Sequence, residues 1–250
     1  MAFYLLGTST LCNPRKPAIT LMGIPSKPTA RRYILFSTLV CCAASSMWPL
    51  IALADALPAA LIGNAAHGAQ LVGACNSCHG KGGEGVANIA FPRLAGQFGP
   101  YLAAQMHDFA AGTRHRAIMK FAVKDMSEQD LADVGAYYAA MNTPPMPSTA
   151  ASDAAKDQRA LQLVNQGDAT NGIAACGSCH GPDSLGRAPD VPYIAGQHAS
   201  YISDQINSWQ IGDRHSDRGL AMAAVAKKLG AYDTDALASW LSRQAPPAPK

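Results

Sequence analysis

The sequence predicts an all-α protein built as two small helical domains in tandem, and three observations predict it. A Cys-x-x-Cys-His box occurs twice, as Cys75-Asn76-Ser77-Cys78-His79 and as Cys176-Gly177-Ser178-Cys179-His180. A block of shared residues recurs at an offset of 100. Apolar residues at helical spacing close the first half, and a proline-rich stretch then separates it from the second.

Taken in order, the chain begins with a segment unlike the rest. Residues 1–54 carry five basic side chains (Arg15, Lys16, Lys27, Arg31, Arg32) and no acidic one. Arg31-Arg32 precedes an apolar run over 33–54 that exits through Ala52-Leu53-Ala54, the basic flank, apolar stretch and small-x-small pattern of a secretory signal. The expectation is a cleaved signal peptide over 1–54 and export to the periplasm. If the segment stays uncleaved, it serves as a membrane anchor and the protein is membrane-associated. Its basic part is long for a leader, which makes Met22 a candidate start. Cys12, Cys41 and Cys42 belong to this segment. The remaining 196 residues hold 15 basic and 17 acidic side chains, a formal charge of −2. Nucleic-acid binding needs a clustered basic footprint and is excluded, and 48% apolar residues exclude a disordered chain.

Every cysteine after residue 54 lies in one of the two boxes. Two thiols one helical turn apart can add across the two vinyl groups of haem, and the adjacent histidine then reaches the iron. Zinc is the first competitor, but the boxes lie 101 residues apart, far outside the pair-to-pair spacing of a zinc ribbon. A thioredoxin-like pair gives no reason for histidine to follow both times. Two haem c groups are therefore expected, on Cys75 and Cys78 and on Cys176 and Cys179, with His79 and His180 as iron ligands.

The repeat orders the remaining elements. Ala95-Gly96-Gln97 recurs as Ala195-Gly196-Gln197, Tyr101 as Tyr201, Gln105 as Gln205, and Gly112-x-Arg114-His115 as Gly212-x-Arg214-His215. Each half thus has a box, a proline loop (Phe91-Pro92-Arg93, Val191-Pro192-Tyr193), a helix from Tyr101 or Tyr201, and a closing helix. In the first half the closing helix starts at Ser127, a capping-box residue before Leu131, Val134 and Tyr138. In the second half the matching stretch is Asp235 to Arg243. Between them Asn142-Thr143-Pro144-Pro145-Met146-Pro147-Ser148 cannot continue a helix. The expected domains are 55–143 and 153–250, the latter with a short Pro-rich tail, joined by a linker over 144–152. With 7% aromatic residues neither domain is rich in large core side chains, so the haem becomes the centre of each core.

Methionine positions identify the sixth ligand. From Ala150 onward Met222 stands alone. His115 and Met119 are four residues apart while His215 and Met222 are seven apart, so a three-residue insertion turns the offset into 103 and pairs Met119 with Met222. Met106 then matches Ile206 and Met126 matches Leu229, as ordinary core methionines would. The rival pair is His115 with His215. Gly-x-Arg-His reads instead as an exposed helix end whose cations suit the negative terminus. His67, His107 and His198 have no histidine counterpart in the other half and are expected at the surface.

The two boxes, the Pro-x-x-Ala-Gly-Gln loops at 92–97 and 192–197, and the Met119 and Met222 positions resemble the dihaem cytochromes c of the cytochrome c4 type, over about residues 64–243. The resemblance implies two class I cytochrome c domains, related by a pseudo-twofold axis with the haem edges close together. It also implies that the Pro92 and Pro192 carbonyls take the Nδ1 hydrogens of His79 and His180. An iron bound by both His and Met has no vacant position, so the expected role is that of an electron carrier and not an enzyme. Its expected redox partners are a quinol-oxidising complex and a terminal oxidase, or alternatively a dehydrogenase to which the chain is the electron-accepting subunit, as in flavin-dependent sulfide oxidation.

Overall fold

The computed structural model describes residues 61–142, 148 and 150–248. The expected signal segment 1–54, with Cys12, Cys41 and Cys42, lies outside the described residues, as does most of the expected linker.

The first half contains α1 (Ala65–Leu71), α2 (Asn76–His79), α3 (Gly99–Ala111), α4 (Ala117–Val123) and α5 (Glu128–Ala139). The second contains α6 (Ala154–Asn165), α7 (Gly177–His180), α8 (Ala199–Gln210), α9 (Leu220–Ala226) and α10 (Ala231–Ser242). Among the described residues there is no strand ladder, only isolated bridges. The repeat is visible in the helix limits: α4 and α5 map onto α9 and α10 at an offset of 103 at both ends. The three extra residues are a 3₁₀ turn, Asp217–Gly219, placed directly before α9.

Local chemistry sets several helix starts. The Asn64 side chain accepts from the Ala66 and His67 amides, and Asp153 does the same for Ala155 and Lys156. Ser127 and Asp130 form a reciprocal capping box at α5. α3 starts at Gly99, two residues before Tyr101, because Pro100 in the first turn is already fixed near helical φ. α10 starts at Ala231, four residues before Asp235, although its N-cap Gly230 offers no side-chain bond. Burial of Ala236, Leu237, Ala238 and Leu241 holds this helix in place of a cap.

In each half the N-terminal and C-terminal helices cross: α1 packs on α5, and α6 on α10. Asp133 ties the first pair by accepting from the Asn64 amide at 2.6 Å, with the His67 ring 2.6 Å away. Arg159 ties the second pair, donating to Asp233 at 2.7 Å and to Asp168 at 2.8 Å. The first crossing is closest at Gly68, where a Cβ would lie 2.1 Å from the Asp133 carbonyl oxygen. Gly68→Val is therefore expected to destabilise the protein by about 3 kcal/mol, because backbone and not a movable side chain blocks the space. Denaturant unfolding measures this, and a midpoint equal to wild type would count against so close a crossing.

The apolar core is divided. In the second half Leu163, Val164, Ile202, Ile206, Leu237 and Leu241 belong to one cluster, with Cys176 packed against it. In the first half Val72, Leu102, Val134 and Tyr138 form one cluster, with Cys75 against it, and Phe109, Val123 and Leu131 form another, with Met119 against it. Met106 and Met126 touch both clusters, as core methionines do.

Both halves belong to one compact unit. Arg114 pairs with Arg214 in an antiparallel bridge, so a residue meets its own repeat counterpart, the signature of a pseudo-twofold axis. The His115 amide donates to the Asp213 carbonyl at 2.7 Å, and the His215 amide to the Thr113 carbonyl at 2.9 Å.

Candidate functional site

Each box forms a single helical turn. The Cys78 and His79 amides both donate to the Cys75 carbonyl, at 3.1 and 2.9 Å, which places two thiols and an imidazole around one turn. Cys179 and His180 repeat this on Cys176, at 3.2 and 2.9 Å. All four cysteines are unbridged. Burial pushes the Cys75 thiol up, and it pushes Cys176 up to about 11. These two sulfurs are therefore neutral thiols at neutral pH, unlike the thiolates of a zinc site or a reactive redox pair.

His79 and His180 are both 6% exposed. The Nδ1 atom of His79 lies 3.0 Å from the Pro92 carbonyl oxygen, and that of His180 lies 2.9 Å from Pro192. A carbonyl can only accept, so Nδ1 carries the hydrogen and Nε2 keeps its lone pair. Burial lowers both histidine pKa values, and the proline carbonyl opposes it only in part, so both rings stay neutral and able to ligate. A glycine fixes each loop between histidine and proline: Gly85 and Gly186 adopt φ of 74° and 78°, and their amides donate to the His79 and His180 carbonyls at 2.8 and 2.7 Å. At Gly85 a Cβ would lie 2.4 Å from the Phe91 carbonyl oxygen, so only glycine fits.

Met119 and Met222 occupy the third position of α4 and of α9, and both are half-buried. His115 and His215 are exposed, and their rings meet edge to face with centroids 5.4 Å apart. They face each other at the pseudo-twofold axis, so they do not address two separate irons. His67 is exposed, as expected, whereas His107 is half-buried. His198 is buried: it is 8% exposed and its Nε2–H donates to the Glu84 carbonyl of the other half at 2.8 Å.

The repeated Arg114 and Arg214 also depart from the expected exposed helix end. They are 5% and 7% exposed. Arg114 donates to Gln105 at 2.9 Å and across the seam to Gln205 at 2.5 Å and the Tyr201 hydroxyl at 2.7 Å. Arg214 reciprocates with Gln205 at 2.8 Å and Gln105 at 2.6 Å. Each guanidinium lies over an aromatic face, Phe109 for Arg114 and Trp209 for Arg214.

A second reciprocal contact explains the repeated Ala-Gly-Gln. The Gln97 side chain donates to the Tyr193 carbonyl at 3.0 Å and accepts from its amide at 3.3 Å. Gln197 does the same to Arg93, at 3.0 and 2.9 Å. Arg93 and Tyr193 directly follow the prolines that orient His79 and His180, so each half braces the histidine loop of the other. Sequence reading registered these glutamines as repeat markers without a role, because their partners lie about a hundred residues away.

The donor set suits haem c in both halves: two cysteines on one helical turn, a neutral imidazole with Nε2 open, a half-buried thioether, and an apolar core around them. Comparisons with known proteins agree. Residues 65–158 match the cytochrome c family. The chain is 38% identical over 174 residues to the thiosulfate dehydrogenase electron acceptor of Thiomonas intermedia, covering 68% of this chain and 78% of that protein. It is 35% identical to the cytochrome c4 of Pseudomonas aeruginosa, covering 72% of this chain and 88% of the other. Its fold matches the crystal structure of reduced recombinant cytochrome c4 from Pseudomonas stutzeri with a TM-score of 0.65 and 32% identity, over 73% of this chain and all of that one. With its duplicated box, its helical halves and relatives matched over most of their length, the chain belongs to the dihaem cytochrome c4 family: an electron carrier of two tandem cytochrome c domains and two haem c groups, acting with redox-protein partners.

Proposed function

We propose that one haem is attached through Cys75 and Cys78 with His79 and Met119 on its iron, and the other through Cys176 and Cys179 with His180 and Met222. The supporting observation is the duplicated set of a one-turn box, a buried histidine whose Nδ1 hydrogen is held by a proline carbonyl, and a methionine at the third position of equivalent seven-residue helices. The carrier is made of domains 55–143 and 153–250, joined by the segment 144–152, after removal of residues 1–54 on export to the periplasm. Among the described residues no helix is long and apolar enough to cross a membrane.

The haems supply reversible one-electron oxidation and reduction. The chain's own groups do the rest. Pro92 and Pro192 fix the tautomer and angle of the histidines, Met119 and Met222 occupy the position a substrate would need, and the glutamine and arginine pairs hold the halves in one orientation. Thioether ligation and an apolar surround both favour the reduced state.

Met119→His tests the ligand assignment. Oxidised His/Met haem has a weak far-red sulfur-to-iron band that bis-His haem lacks. The variant should lose about half of it, because one of two equivalent sites changes. Retention of the whole band would mean that another methionine is the ligand.

The partners proposed are a quinol-oxidising complex as donor and a terminal oxidase as acceptor. A second reading, that the chain accepts electrons from a dehydrogenase, is favoured by the 38% identity to a relative named for that role with thiosulfate dehydrogenase. Isolation from native cells separates the two: a co-purifying dehydrogenase supports the second, and reduction by the quinol-oxidising complex at turnover rates supports the first. A formal charge of −2 after residue 54 gives little long-range steering, so the transfer rate should vary little with ionic strength. A steep fall with salt would reveal a charged docking face.

A further inference from the structure

A half-open cavity of about 310 Å³ lies at the seam, and no haem-attaching residue lines it. Its lining includes Asn88 and Arg93 of the first half and Gln197, His198, Ser200 and Ser242 of the second. Arg93 is 2% exposed, yet its Nε and Nη1 donors have no partner. A buried guanidinium without an anion is costly, and leaving its donors unmet adds to that cost. Nor does the fold demand a cation here. The repeat counterpart is Tyr193, whose hydroxyl is satisfied by donating to the Ala95 carbonyl at 2.7 Å. Glu84, the acid closest in sequence, turns its carboxylate against Gly80 and Gly82.

The same cavity is lined by the N-terminus of α8, a helix of twelve residues. Its N-cap is His198, which makes no side-chain cap bond. The His198 ring is instead held by the Glu84 carbonyl, and the His198 amide by Gln197. The first-turn amides of Ala199 and Ser200 thus add the positive end of a helix to the unmet guanidinium, and anions bind at such ends.

We propose that this seam cavity binds one oxygen anion between Arg93 and the N-terminus of α8. A carboxylate or a tetrahedral oxoanion has the required chemistry. Two sources supply it: a propionate of the haem on Cys75 and Cys78, an arm that rests on the attachment proposed above, or a free anion such as sulfate. In either case the bound charge ties residues of both halves together at the loop that orients His79.

The test uses the protein with both haems, in a buffer free of oxoanions. Sulfate is titrated calorimetrically and both midpoint potentials are measured, for wild type, Arg93→Gln, Arg93→Lys and Asn88→Asp. If the anion is free, wild type binds one sulfate per chain, and Arg93→Gln and Asn88→Asp weaken it at least tenfold while both midpoints hold without sulfate. If it is a propionate, wild type takes up no sulfate and Arg93→Gln lowers one midpoint by about 59 mV, a tenfold change in a one-electron equilibrium, leaving the other in place. In both cases Arg93→Lys stays near wild type. Asn88 is exposed, so Asn88→Asp carries the same readouts if Arg93→Gln fails to fold: its added carboxylate repels sulfate or lowers the same midpoint. No sulfate binding together with unchanged midpoints in both variants overturns the proposal, and so does sulfate binding that the variants leave intact. A one-haem mass spectrum of wild type would instead undermine the attachment reading, leaving the sulfate arm standing.

Discussion

Replacing Cys176 and Cys179 together by serine is expected to give a protein with a single haem mass after denaturation and acid-acetone extraction, where wild type keeps two. Thioether bonds survive that extraction, whereas haem held by coordination alone does not. The Soret absorbance per chain should halve, and one of the two midpoints should vanish. Stability should fall as well. The second half is built from aliphatic residues such as Leu163, Val164, Ile206 and Leu241, and Cys176 is packed against them. Without the macrocycle, those side chains border a void too large for them to close. The corresponding change at Cys75 and Cys78 should remove the other haem. Two haem masses in either variant would contradict the attachment assigned to that box.

The second large effect is expected from Gln105→Leu. The Gln105 carbonyl oxygen accepts from Arg114 at 2.9 Å and from Arg214 at 2.6 Å. Its loss leaves two buried cations each short of an acceptor, at a cost of about 3 kcal/mol. For a unit of this size that lowers the melting temperature by about 9 °C. Burial and the charge of Arg114 already draw the Arg214 pKa down, which shows how little compensation the seam has in reserve. Gln105→Glu keeps an acceptor of the same length and should stay closer to wild type, separating lost hydrogen bonding from lost packing. Exchange of electrons between the two haems should also slow in Gln105→Leu, because the network fixes how the halves meet. A leucine variant as stable as wild type would mean that the interdomain arrangement rests on other contacts.

These two predictions draw on different kinds of information. The boxes were legible because their chemistry is local: thiols and imidazole at positions one, four and five of one helical turn act together whatever the rest of the chain does. The register of Met119 against Met222 was legible through the repeat, which makes one half a template for the other. The three-residue correction it required is a physical object, the 3₁₀ turn Asp217–Gly219. The Ser127 capping box was read correctly for the same local reason. The helices α1 and α6 went unread although Asn64 and Asp153 cap them. α1 has only seven residues and one large apolar side chain, Leu71, so its periodic signal is weak; α6 has twelve, but its large apolar residues, Leu161, Leu163 and Val164, crowd together at its C-terminal end.

The seam was out of reach. Arg114 and Arg214 stand after a helix-terminating glycine, a place where cations normally point into water, and His198 has no repeat partner, so each read as surface. Their burial depends on partners 85 to 115 residues away, among them Gln205 for Arg114, Gln105 for Arg214 and Glu84 for His198. The sequence alone therefore determined the haem-binding chemistry, the duplication and the helical class, because these are set by residues one turn or one repeat apart. Tertiary structure alone decided how the two halves face each other and which polar groups are buried between them. That choice is made by reciprocal hydrogen bonds between distant residues, and a buried guanidinium and a solvated one are spelled with the same letter.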